Sequence, residues 1–420
     1  MKSRSCAVLA ASTLLLSGCG ALGLGSNGDV TLKLVAADYG DHPATSTQHY
    51  WDDLVQRFER ANPKTKVTVQ VYPWTEIDQK VSAMIRAGDS PDLVESVGFA
   101  DKVAAHQLYP ARDVLTLDTE ADFPNSFAQA GQVLGTQYGI PFVSSSRTFF
   151  YNKTIFKQAG IGQPPTTWDD LRADAALIRA RVPGVTPYGL PLGPEEAPAE
   201  TMMWTMSGGG GLADSADTYT IDSRRNVATF SWLRDNLVTP GYTYAHPGAV
   251  NRQNAFDDFA AGRVAMLNGH PSLIKQVQGK VDYGTAPIPR EDASAKPTTL
   301  GVADWMMALS ANGHRAQIRP FLSFVYSKEN VLEFDEEYNL LPVTQDALDD
   351  MTAGGRHPDL KPFLDALPTA NFYPVGDLAW DAVSARIKQD IGKAVEGDPG
   401  PVLGQLQDFA VERSKQDRPQ

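Results

Sequence analysis

Between Val30 and Val94 the chain changes its hydrophobic period four times, and that alternation constrains the fold more than any other feature. Val30-Thr31-Leu32-Lys33-Leu34 alternates with period two, the mark of a half-buried strand. Tyr50, Leu54 and Phe58 then recur every four residues, a helix halted near Asn62-Pro63. Val67-Thr68-Val69-Gln70-Val71 alternates again. Thr75 reads as an N-cap with Asp78 three residues on, and Ile77, Val81, Met84 and Ile85 share one helical face before Gly88 stops it. A third strand starts at Leu93-Val94. The order β-α-β-α-β requires a parallel sheet with right-handed crossovers, and so an α/β fold.

The pattern persists past Pro141 in longer pieces. Thr148 to Tyr151 reads as a strand, and Thr167 caps a helix carrying Trp168, Leu171, Ala175 and Ile178. Ala199 to Ser207 is a helix ended by Gly208 to Gly211, and Val227, Phe230 and Leu237 mark another. Val264 to Leu267 is a buried strand ending at Asn268-Gly269, and Trp305 to Leu309 is an apolar strand-like run. From Arg315 the chain is mostly helical. There is no internal repeat. About 400 residues hold two to three domains' worth of core, and two α/β lobes fit the pattern.

The N-terminus indicates export. Lys2 and Arg4 precede an apolar run from Ala7 to Leu16 that is too short to span a bilayer, so residues 1–18 read as a signal peptide. Leu16-Ser17-Gly18-Cys19 resembles the lipobox of bacterial lipoproteins. The resemblance implies a mature chain that begins at Cys19 with a lipid on its thiol, on the outer face of the cytoplasmic membrane. Residues 19–29 are small and Gly-rich, a flexible tether. The only other cysteine, Cys6, leaves with the signal, so the folded part has no disulfide, no Cys metal site and no thiol nucleophile. The formal net charge of −13 disfavours nucleic acid as a partner and leaves the lipid as the sole membrane contact.

Several later stretches resemble the extracellular solute-binding proteins of ABC importers, in the branch that serves sugars and includes maltose-binding protein. They are Ser90-Pro91-Asp92-Leu93-Val94, Gly139-Ile140-Pro141-Phe142, Phe150-Tyr151-Asn152-Lys153, Pro165 to Leu171, Ala255 to Gly269, and Ser327-Lys328-Glu329-Asn330. The resemblance rests on their order and spacing over nearly the whole mature chain. It implies a two-lobed periplasmic-binding-protein-like α/β fold with a hinge and an interlobe ligand cleft, each lobe built from two stretches. Residues 30–145 plus 304–355 would form the N-terminal lobe, and 146–303 plus 356–415 the C-terminal one. It implies capture of a carbohydrate, a di- or oligosaccharide, by a monomer that delivers it to the permease subunits of an ABC importer. It calls for no enzyme activity, cofactor or metal.

Ligands on open parallel sheets lie beyond the carboxyl ends of the strands. Those ends present Asp38-Tyr39, Trp74, and Ser96 to Phe99, acids and aromatics that match sugar hydroxyls and apolar sugar faces. Ser145 and Arg147 follow the first crossing strand, where the family places polar cleft groups. Asp304 and Trp305 fall where the chain should cross between lobes. Trp380 opens a late helix where the family often places a stacking aromatic. Trp204 ends a Met-rich helix and fits ligand contact and packing equally, and Trp74 fits a cleft wall or packing around the Thr75 cap. Asn268 and His270 are hydrogen-bonding candidates, although the family often has an aromatic after this glycine where His270 stands. Trp51, Trp168 and Trp232 read as core.

The alternative is an exported glycoside hydrolase, which needs only two acids from distant positions. No Gly-x-Ser-x-Gly or His-Glu-x-x-His is present, and the seven histidines are scattered. Asp169-Asp170, Asp257-Asp258 and Glu336-Glu337 are neighbours on predicted helices and point about 100° apart, so they read as solvated faces.

Overall fold

The computed structural model describes residues 29–40, 45–74, 76–214, 218–353, 355 and 357–416. The expected signal peptide, the lipid-bearing Cys19, most of the tether and the Thr75 cap lie outside the described residues. The opening alternation folds as its periods require. Strand β1 (Val30–Ala37) runs parallel to β2 (Thr65–Tyr72), from Val30 opposite Thr65 to Ala37 opposite Tyr72, and parallel to β3 (Leu93–Ser96) on its other edge. The connecting helices are Gln48–Ala61, which buries Tyr50, Trp51, Leu54 and Phe58, and Ile77–Arg86, which buries Ile77 and Val81. Gly88 ends the second with φ +74°, a conformation that glycine adopts without a Cβ penalty.

After a small hairpin of β4 (Gln132–Val133) and β5 (Thr136–Gln137), β6 (Ile140–Ser146) returns to the first sheet and β7 (Thr148–Asn152) enters a second. The second sheet also contains β8 (Thr186–Gly189), β9 (Val264–Gly269) and β10 (Tyr283–Ala286), in the order β10-β7-β9-β8. The chain then re-enters the first sheet as β11 (Thr299–Ala308), and β12 (Ala370–Phe372) follows later, completing the order β12-β11-β3-β1-β2 with β6 on the free edge of β11. Burial of both faces by helices makes this the two-lobed α/β architecture that the alternation predicts.

β11 joins the parts of the first sheet. It pairs antiparallel with β6, shifts register between Asp304 and Trp305, and shares its other edge between β3 and β12. Thr299–Ala303 and all of β12 therefore pair within the larger sheet, whereas lobe boundaries at 303/304 and 355/356 would cut them from it. Asp304 and Trp305 sit inside the sheet, not on a crossing. The chain passes between sheets at Arg147, over residues 287–298, and over residues 373–379.

The sheet bodies also touch at two rims. Asn339 Nδ2 donates to the Pro271 carbonyl at 2.7 Å, and Lys275 Nζ to the Glu337 carbonyl at 3.0 Å. Across the opposite rim, a Cβ added to Gly98 would stand 3.3 Å from the Asp381 carboxylate. The late helix Trp380–Asp390 packs against Ala197–Ser207 and Pro399–Gln416, on the side of the second sheet.

Candidate ligand-binding site

Arg147 is the single residue between β6 and β7, and it is buried. Its backbone N–H donates to Thr299 Oγ1 at 3.1 Å, and that hydroxyl donates back to the Arg147 carbonyl at 2.6 Å, so two passages between the sheets are tied together. The guanidinium donates to Ser145 Oγ at 3.0 Å and pairs with Glu196. Glu196 also takes Arg252 Nε at 2.6 Å, while Arg252 pairs with Glu195 as well. The loop before the helix Ala197–Ser207 is thereby fixed to the start of the helix Arg252–Ala260.

Glu200, one turn further along, is buried with no cationic partner among the described residues. Tyr188 Oη, Trp204 Nε1 and Asn268 Nδ2 all donate to its Oε1, at 3.0, 2.9 and 3.3 Å. Burial pushes its carboxyl up to about 7 against the pull of those bonds. Asn268 lies at the end of β9, and its Oδ1 is buried without a partner. His270 follows, half-buried, its Nδ1 3.0 Å from Ser272 Oγ and its ring 5.1 Å from that of Phe256. Burial, and then the charges of Arg147 and Arg252, hold its imidazole well below the usual range, so it is neutral. Arg147, Glu196, Glu200, Asn268 and His270 line one pocket together with Met203.

The first sheet supplies a different cluster. The Tyr39 phenol lies 2.8 Å from Glu95 Oε1 and 2.8 Å from Asp304 Oδ2. It has one hydrogen to give, so holding both bonds requires that one carboxyl be protonated and donate to the phenol oxygen. Burial, then the neighbouring Asp304, raises Glu95 well above the carboxylate range. Burial raises Asp304 to about 6, opposed by Tyr39 and Arg147. Tyr39 meets Trp74 edge-on at 5.2 Å, and Trp74 is the most exposed of the candidate tryptophans at 36 %.

The remaining candidates divide between the cleft and the core. Asp38 accepts from Gly40 N, Ser46 Oγ and Thr47 N, closing the loop after β1. Ser96 donates to Asp78 at 2.8 Å. Phe99 and Trp305 are fully buried edge-to-face at 5.4 Å, and Trp204 is buried among Trp168, Tyr188 and Trp232. Trp380 is as buried as Trp204 and stacks on the half-buried Tyr373 at 5.2 Å and 27°, and Tyr373 is close enough to Glu196 and Arg147 to feel both charges. The structure thus brings Arg147, Ser145, Asn268 and His270 together, joins Tyr39 to Asp304, and puts Trp305, Phe99 and Trp204 in packed cores. Glu95, Glu196, Glu200 and Tyr373 are absent from the sequence reading: Glu95, Glu200 and Tyr373 have apolar neighbours that mask them, and Glu195-Glu196 lies between prolines as an acid pair of a loop. Among the described residues no group of three or more His, Cys, Asp or Glu is arranged to hold a metal ion.

The family model described as bacterial extracellular solute-binding protein matches residues 44–332. A protein of Brucella abortus (strain 2308) described as a binding protein is 28% identical over 404 residues, covering 93% of this chain and 95% of its own. The sn-glycerol-3-phosphate-binding periplasmic protein UgpB of Escherichia coli (strain K12) is 25% identical over 362 residues, 76% of this chain and 79% of its own. Among solved structures, the cyclic alpha-maltosyl-1,6-maltose binding protein from Arthrobacter globiformis superposes with a TM-score of 0.79 at 20% identity, covering 93% of this chain and 100% of that one.

Proposed function

The chain belongs to the family of bacterial extracellular solute-binding proteins, and from that premise we propose that it captures a carbohydrate outside the cell and hands it to an ABC permease. The observation that carries the reading is the convergence, around the Arg147 passage, of hydrogen-bonding groups from both sheets with the Tyr373–Trp380 stack beside them. Sugars need such a mixture: charged or amide partners for hydroxyls and a flat ring for the apolar face. The lobes we propose are residues 29–146 with 299–372, and 148–286 with 380–416. Tyr39, Trp74 and Asp304 would face the ligand from the first, and Arg147, Asn268, His270 and Trp380 from the passages and the second. A di- or oligosaccharide bound by a monomer is the finer form of this reading.

Calorimetry and thermal-shift screening of the purified protein against mono- and oligosaccharides test it. A cognate sugar at a hundredfold excess over its Kd should stabilise the protein by about 2.7 kcal/mol through mass action. The sugar should be recovered unchanged, and products accumulating with time and protein would favour the hydrolase instead.

Tethering belongs to the same proposal. The basic start, the short apolar run and Leu16-Ser17-Gly18-Cys19 support a lipid on Cys19 that holds the protein beside its permease. Cys19→Ala should then release the protein from membranes or leave the precursor uncleaved. A processed, membrane-bound Cys19→Ala protein would defeat the anchor.

A further inference from the structure

The pocket at the end of β9 is uneven in its hydrogen-bonding capacity. All three donors to Glu200 go to Oε1, and Oε2 accepts from no described residue. Asn268 Oδ1 is likewise unused, and its amide is held this way round because Nδ2 must face the Glu200 carboxylate. Two acceptors therefore stand without donors in a pocket whose guanidinium groups are already paired with carboxylates. The Arg147 guanidinium is matched by Glu196 and Ser145, and that of Arg252 by Glu195 and Glu196. His270, neutral, adds no charge. Around this pocket two guanidinium charges face three carboxyl groups.

The buried Asn268 Oδ1 carries a cost that a ligand hydroxyl removes by donating to it, and Glu200 Oε2 offers a second acceptor. A phosphate brings more acceptors and more negative charge to a place where carboxyl groups outnumber guanidinium groups and already pair with both of them. We infer that the free oxygens of Glu200 and Asn268 form a subsite that takes two neighbouring hydroxyls of an uncharged polyhydroxy solute and turns away phosphate esters. This rests on the solute-capture reading and narrows it. It sets the chain apart from the Escherichia coli relative whose name carries sn-glycerol-3-phosphate.

The purified protein, wild type and Glu200→Gln, is incubated with an equimolar mixture of glucose, maltose, maltotriose, trehalose, glycerol, sn-glycerol-3-phosphate and glycerophosphocholine. Retained solute is identified by mass spectrometry, and its affinity is measured by calorimetry between pH 6 and 8. Glutamine keeps an oxygen for the three donors but replaces Oε2 with an amide donor. Wild type should retain an uncharged solute and neither phosphate ester, with affinity rising with pH as Glu200 ionises into its accepting form. Glu200→Gln should bind that solute about tenfold to a hundredfold more weakly, with its pH slope flattened and its melting midpoint at pH 6 not lowered. Retention of a phosphate ester by wild type would overturn the inference, as would an unchanged affinity in Glu200→Gln; both leave solute capture standing. Retention of none of the seven would defeat the capture reading and this one with it.

Discussion

Glu200 and Glu95, both buried, and the half-buried Asp304 are acids whose folded forms hold protons that an unfolded chain would have released near pH 4. The sign of the consequence follows from linkage. A raised carboxyl gives its full contribution to stability below its ordinary pKa and loses it as pH rises through the folded value, here about 6 for Asp304 and about 7 for Glu200. The ligand-free protein should therefore melt lower at pH 8 than at pH 5. Glu200→Gln should remove one such loss, on the order of 1–3 kcal/mol at pH 8 and close to nothing at pH 5. Urea unfolding at the two pH values checks this, and an equal effect at both would show that Glu200 does not titrate in the interval. None of these acids except Asp304 was legible in the sequence. Glu95 sits in Leu93-Val94-Glu95-Ser96, all four residues buried, so no alternation marks it. Glu200 lies on a helix buried on nearly every face, which erases the 3.6-residue period that reveals a polar position. Asp38 was legible as an acid at a strand end, but its lone pairs close its own loop.

At the scale of elements, local chemistry decided what could be read. The helix Trp168–Arg181 announces itself because Thr167 accepts from Asp170 N at 3.2 Å and Asp170 accepts from Thr167 N at 3.0 Å, a reciprocal pair that satisfies two donors left over at a helix start. Thr167→Ala should cost about 1 kcal/mol in urea unfolding. Combined with Asp170→Ala it should cost less than the sum of the single losses, since the two residues serve one motif. β11 shows the opposite case. Its second half, from Trp305, reads as a strand, but Thr299-Leu300-Gly301-Val302-Ala303-Asp304 carries a glycine and an acid that strands disfavour. Pairing with β6 on one edge and β12 on the other overrides that preference. β12 spans only Ala370–Phe372, too short for a period of two to be seen, and it escaped for that reason. The lobe boundary drawn at 355/356 misplaced it as a result.

The whole molecule is two sheet bodies joined by three passages, and its behaviour depends on how those passages bend. The Arg147–Thr299 exchange pins two of them at one point, leaving residues 373–379 and the rims to accommodate rotation. Among the described residues the rims are bridged by Asn339 to Pro271, Lys275 to Glu337 and the approach of Asp381 to Gly98, while Phe150 and Phe363 pack ring to ring between the bodies at 6.0 Å. A ligand shifts the balance between open and closed forms only by binding the closed form better. Trp380 stands where such a difference would arise. It starts the helix that follows the third passage, stacks on Tyr373 within that passage, and neighbours the Arg147–Glu196 pair through Tyr373. A sugar ring against this stack would gain apolar contact only when the first lobe closes over it. Trp380→Ala should thus weaken sugar binding by about 1–3 kcal/mol and reduce the compaction that follows it. Small-angle scattering of both proteins, with and without the sugar identified by screening, reads the compaction, and calorimetry reads the affinity. Tight binding by wild type without a fall in radius of gyration would defeat the hinge. Unchanged affinity in Trp380→Ala would confine the stack to packing and leave Arg147, Asn268 and Glu200 as the groups that hold the ligand.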